Sequence, residues 1–304
     1  KLTTLQESRE TGSINDLPEL SYDFRAPVRE YGQISPTFRE LKLLALFLET
    51  WGSSICRMDA FIPESNPLDP ADAETIRWSV RRDEDSGFLF VNNFVRRMKM
   101  ASHRNAIFEV PSTTVRFDGL NIENGEYFFL PFNMSVGDAV IETALVTPLC
   151  VLNGEMPTYF FYTAFEQAER LLAGGKETEL YHFRNGKAPT NVRIATLTRA
   201  QALDAWKYGN ELYIHPGESC DLRFFTRRKR DDIAPAATFL GEANGRVRFS
   251  ITVPAWQGVD AFLCIRYDGN TAELYESGNK IADNFWCGTD DSWEIGLKRF
   301  GDGK

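Results

Sequence analysis

The chain has 304 residues, a formal net charge of −9 and a pI near 5.1, with 25% charged residues. Such a length suggests two or three domains with ample core. The acidic balance argues against a nucleic-acid partner, because phosphate binding needs clustered Lys and Arg. The basic run Arg227-Arg228-Lys229-Arg230 is followed at once by Asp231-Asp232 and reads as a solvated loop. No run of about eighteen apolar residues marks a membrane span. The chain opens Lys1-Leu2-Thr3-Thr4, with no Met and no signal peptide, and so reads as following a removed leader or starting partway through a larger protein. Cys56, Cys150, Cys220, Cys264 and Cys287 lie far apart with no CxxC pair, so neither a zinc site nor a disulfide framework is expected, and they read mostly as buried thiols. His103, His182 and His215 are isolated from one another, suit loops or strand edges, and suggest no metal. No cofactor is expected.

Residues 1–19 are polar and aperiodic and read as a poorly ordered lead-in. Leu20 to Phe24 reads as a short strand. Ser35-Pro36 then opens a helix, with serine as N-cap and proline at the first helical position. Phe38, Leu41, Leu44, Ala45 and Leu48 recur at three- and four-residue spacing and predict its buried face, with Gly52 as the stop. This strand, loop and helix is a unit of the kind that builds α/β barrels.

Pro63, Pro67 and Pro70 mark a linker over about 62–74. From there, short β-type runs alternate with turn signals: Ile76–Val80, Gly87–Val91, Ala106–Val110, Glu126–Leu130 and Thr158–Tyr162, with turns expected at Asn92-Asn93, Asn124-Gly125 and Asn153-Gly154. Their spacing predicts an antiparallel β-sandwich over 75–215. Thr198 is the expected N-cap of one short helix reaching Trp206. A second β domain over 216–304 is expected from Arg246–Val253, Ala261–Tyr267, Thr271–Tyr275 and a closing strand Trp293–Phe300. Its hairpin turns fall at Asp268-Gly269-Asn270 and Ser277-Gly278-Asn279.

Three stretches taken together resemble the later half of bacterial family 35 glycoside hydrolases, the β-galactosidase group. They are SYDFRAPVREYG at 21–32, GFLFVNNFVRR at 87–97 with GEYFFLPFN at 125–133, and ADNFWCGTDDSWEIGLKRF at 282–300. The first resembles the segment that closes the family's catalytic barrel, and the others resemble the β modules that follow it. The resemblance implies a mainly β chain: antiparallel β-sandwich and jelly-roll modules following the last strand-helix unit of an α/β, TIM-type barrel, with residues 1–61 supplying that unit. It also implies retaining hydrolysis by two carboxyl groups roughly 5 Å apart. Both belong to barrel strands upstream of SYDF, and a whole barrel takes about 250 residues. On this reading the catalytic pair is not in the chain, which is expected to be inactive alone and to take a β-galactoside or related glycan together with the rest of the barrel.

Glu30, in Glu-Tyr-Gly, has the look of a catalytic carboxylate. The family's acid/base glutamate follows an asparagine, whereas Glu30 follows Arg29 and matches the Glu-x-Gly just past the last barrel strand; it is expected to be a decoy on the loop leading to the helix. The substrate-binding candidates are Tyr22 and Phe24. In the family the corresponding tyrosines line the galactose pocket; Tyr22 keeps the first, and Phe24 departs from the second by losing a phenol. Packing at the barrel top is the alternative for both. Asp23 is expected on the opposite face, in a structural role. Trp256, Trp286 and Trp293 offer a sugar-stacking platform or, by the stronger reading, a β core. Asp283, Asp290 and Asp291 read as turn residues rather than calcium ligands.

Two further functions stay open. One is a stand-alone carbohydrate-binding or scaffold protein that lacks hydrolase activity. The other is one part of a split enzyme whose companion chain supplies the barrel.

Overall fold

The computed structural model describes residues 26–32, 34–110, 113–214, 232–256, 261–285 and 292–300. The strand expected at Leu20–Phe24 lies outside them, as do Tyr22, Asp23, Phe24, Trp286, Asp290 and Asp291. The chain is mainly β with antiparallel sheets. It divides into two compact units: Arg39–Arg227, and the preceding residues together with those from Arg228 onward.

Helix α1 spans Pro36–Ile55. Ser35 caps it as the sequence predicts: its Oγ lies 3.4 Å from the Phe38 amide and donates to the Pro27 carbonyl at 3.0 Å. The expected stop at Gly52 does not occur, because the Cys56 amide still bonds the Gly52 carbonyl at 3.0 Å. The expected face is also corrected. Leu43, Leu46 and Phe47 are buried, whereas Leu41, Leu44 and Leu48 are 50%, 45% and 42% exposed. Apolar residues wrap so much of this helix that two stripes satisfy the same spacing, and the one holding the large rings of Phe47 and Trp51 turns inward.

In the unit Arg39–Arg227 a six-stranded antiparallel sheet has the order β1 (Asp59–Phe61), β2 (Arg77–Asp83), β3 (Ser86–Asn92), β6 (Tyr127–Val136), β7 (Ala139–Ala144), β10 (Tyr181–Phe183). A second sheet has the order β11 (Arg193–Leu197), β9 (Thr158–Tyr162), β8 (Thr147–Leu152), with β11 parallel to β9. Strands β4 (His103–Glu109) and β5 (Arg116–Ile122) pair separately, as do β12 (Trp206–Tyr208) and β13 (Glu211–Tyr213). Leu89, Leu130, Phe132 and Ile141 of the large sheet share one core with Leu149 and Phe161 of the second, Leu120 and Ile122 of β5, and Leu46 of α1. Period-two alternation drives this arrangement, since every second side chain must leave water and the opposed faces cover one another. Two short helices, α2 (Glu166–Ala173) and α3 (Arg199–Asp204), complete the unit.

The second unit contains β14 (Ala236–Ala243) paired with β15 (Arg246–Thr252), β16 (Phe262–Ile265) with β19 (Trp293–Gly296), and β17 (Thr271–Glu276) with β18 (Asn279–Phe285). Two hairpins close on the two-residue loops Asn244-Gly245 and Ser277-Gly278. All four residues have positive φ, as the right-handed twist of the flanking strands demands. Leu263, Ala282, Trp293, Ile295 and Leu297 form its core, with Trp256 and Tyr31 packed against it. Trp293 and Trp256 thus follow the core reading. Asp283 departs from its turn reading: it is buried in β18, with Lys280 Nζ 3.8 Å away. The expected closing strand ends at Gly296 and gives way to a 3-10 turn. Of the described cysteines only Cys150 is buried, and burial raises its thiol to about 11; Cys56 and Cys264 are exposed, which corrects the buried-thiol reading for those two.

One latch in the first unit has a testable pH signature. Asp138, at the β6–β7 turn, accepts from the Thr190 amide at 2.8 Å and the Thr190 hydroxyl at 2.7 Å, and these bonds lower its carboxyl to about 2. A depressed carboxyl pKa adds stability that is complete above the ordinary value of 3.8 and disappears as pH falls through about 2. Asp138→Asn is therefore expected to unfold more easily than the parent at neutral pH and to lose that difference in this acid window. Urea midpoints measured across it would reject the latch if the two proteins kept a constant gap.

Candidate functional site

Glu30 occupies the second position of the turn Arg29–Gly32, closed by the Gly32 amide on the Arg29 carbonyl at 2.9 Å, and is exposed. The bridge between Val28 and Ile34 encloses this turn, and α1 follows.

The chemistry among the described residues concentrates in a cleft of about 250 Å³ lined by Gly125, Glu126, Tyr127, Phe165, Glu169 and Arg199, with Ala164 and Glu166 at its wall. Four segments build it. The turn before β6 brings Glu126 and the first residue of β6 is Tyr127, the start of α2 brings Glu166 and Glu169, the first residue of α3 is Arg199, and α1 brings Glu40 behind it.

Each helix start is satisfied by a carboxylate from elsewhere. Phe165, at the N-cap of α2, has no capping side chain; its ring stacks on Phe128 at 4.3 Å, and Glu126 accepts from the Glu166 amide at 2.7 Å instead. The other Glu126 oxygen accepts from the Glu123 amide at 2.6 Å. Glu169 Oε1 accepts from the Arg199 amide and from the Thr163 hydroxyl, both at 2.6 Å. Negative groups at these positions neutralise the orphan amides and the positive end of each helix. On α3, Thr198 is the N-cap as expected, and Gln201 completes a capping box with it.

Arg199 is fixed by charge. Its Nη2 bonds both Glu40 oxygens at 2.8 Å, and its guanidinium carbon lies 5.6 Å from the centre of the Tyr127 ring. Burial works against its charge, yet Glu40 beside it holds its pKa above the ordinary value. Behind the cleft, burial pushes the Tyr162 phenol up, so it stays protonated. Tyr127 in the lining is 46% exposed, and the Phe94 ring beside it, outside the lining, is 49% exposed, with ring centres 6.3 Å apart.

Family models, curated proteins and solved structures give no match. The site therefore rests on its own geometry. Among the described residues no group of three or more His, Cys, Asp and Glu is arranged to hold a metal ion, and no helix is long and apolar enough to cross a membrane.

None of the cleft residues was a sequence candidate. Two signals pointed toward it: the Thr198 cap, which places Arg199 at a helix start, and the stretch Gly125-Glu126-Tyr127 at the head of an apolar strand. Helix α2 was not foreseen, although Glu166–Ala173 reads EQAERLLA, a run of good helix formers.

Proposed function

We propose that this chain carries the non-catalytic β modules of a β-galactosidase-type retaining glycoside hydrolase, with α1 presenting the face that meets the catalytic barrel. The observation that carries the reading is the second stripe of α1. Leu41, Leu44 and Leu48 lie open on the side away from the buried Leu43, Leu46 and Phe47, and such a surface calls for a cover. The sequence likeness at 21–32, 87–97, 125–133 and 282–300 supplies the identity of that cover. In this reading Tyr22 reaches the sugar pocket, Phe24 packs beside it, Glu30 takes no part in bond breaking, and the reacting glutamates belong to the barrel.

The purified chain is then inactive on a chromogenic β-galactoside, and it binds a separately produced family 35 barrel through α1, with Leu44→Asp abolishing the association. Turnover by the chain alone, lost on Glu30→Gln, would overturn the assignment. So would barrel binding that is indifferent to Leu44→Asp.

A further inference from the structure

We propose that the cleft between β6, α2 and α3 binds a neutral, hydroxyl-rich ring of monosaccharide size. This inference does not rest on the hydrolase reading, because the cleft uses neither Tyr22 nor the open stripe of α1.

Charge decides the ligand class. An anion entering the cleft would meet Glu126, Glu166 and Glu169, whose carboxylates are held by backbone amides or, for Glu166, by Arg170 at 3.1 Å. A cation would meet the same carboxylates, already bonded in this way, with Arg199 and its partner Glu40 beside them. An anion is therefore repelled by three fixed groups of its own sign, while a cation would have to compete with the backbone amides and with Arg199 and Arg170 for carboxylates that are already engaged. A neutral ligand escapes both penalties if it can donate and accept at neighbouring atoms.

The lining offers both kinds of partner. Arg199 Nε and Nη1 bond no described residue and are donors; Glu169 Oε2 likewise bonds none and is an acceptor, and each Glu126 oxygen has one amide partner and a remaining lone pair. Adjacent hydroxyls fit this set, since one donates to a carboxylate while the next accepts from the guanidinium. The volume of about 250 Å³ sits just below the range usual for drug-sized ligands and suits a single six-membered ring. The exposed ring of Tyr127 in the lining, extended outward by the Phe94 ring packed beside it, provides an apolar flank for its C–H face.

Saturation-transfer NMR titrations of the whole chain with D-glucose, D-galactose, D-mannose and myo-inositol test the proposal, with putrescine and citrate as charged controls. At least one neutral ring is expected to bind and both controls are expected not to. Phe94→Ala, which removes an exposed ring, and Glu169→Gln, which keeps the Oε1 acceptor that caps α3 and turns the Oε2 acceptor into an amide donor, should each weaken binding about tenfold. Unchanged unfolding midpoints of the two variants would show that their folds persist. Silence from all four neutral rings, preferential binding of putrescine or citrate, or neutral-ring binding unaltered in both variants would each overturn the assignment. Ring binding by a chain that fails to engage a family 35 barrel would leave the cleft standing and the hydrolase reading fallen; the reverse pair of results would do the opposite.

Discussion

Gly87→Ala is expected to destabilise the Arg39–Arg227 unit by about 3 kcal/mol or more. Gly87 stands in β3 opposite Arg82, next to the two-residue turn Glu84-Asp85. A Cβ there would come 2.1 Å from the Arg81 carbonyl oxygen and 2.8 Å from the Arg82 Cα. Both obstacles are backbone atoms of the paired strand, so no rotamer change relieves them, and the β2–β3 ladder has to open. Urea unfolding of parent and variant measures the effect. A midpoint unchanged within error would mean that the two strands do not approach in this way.

Phe47→Ala should cost about 3–5 kcal/mol by the same measurement, which is the range for emptying a large buried ring. Phe47 is 1% exposed, and its ring lies 4.5 Å from Phe129, 5.1 Å from Phe88 and 5.3 Å from Trp51. It is the point at which α1 enters the six-stranded sheet. The loss should reach beyond packing, because α1 also carries Glu40, and a loosened helix releases Arg199 from its carboxylate partner. A loss below about 1 kcal/mol would show that the polar ties of α1 to α3, Arg39 to Asp204 and Lys42 to the Leu203 carbonyl at 2.6 Å, hold it without the ring.

The sequence made nine of the nineteen described strands visible and left the cleft hidden, for a physical reason. Local alternation located β2, β3, β9, β15 and β17 within a few residues, because side-chain period and turn chemistry are encoded by neighbours. Strands β7 and β8 were missed: Ala139–Ala144 and Thr147–Leu152 are separated by two apolar residues rather than by turn formers, and Thr147–Leu152 is nearly continuous in its apolar character, as befits a strand buried on both faces. The inward face of α1 was misread because choosing between two apolar stripes requires knowing which surface awaits. The cleft depends on pairings such as Glu40 with Arg199, 159 residues apart, and Glu126 with the Glu166 amide, 40 apart. Nothing in the spacing of those residues announces that they meet.

The two carboxylates that terminate α2 and α3 do more than quiet stray amides. Glu126 keys α2 to the head of β6, Glu169 on α2 keys α3, and Gln167 fastens α2 to β5 through the Asn121 amide and the Gly119 carbonyl. Each short helix takes its axial position from the one before it, like links registered on a common rail. Neither can slide by a turn alone, so Arg199 inherits the rigidity of the sheet although it sits on a helix of only six residues.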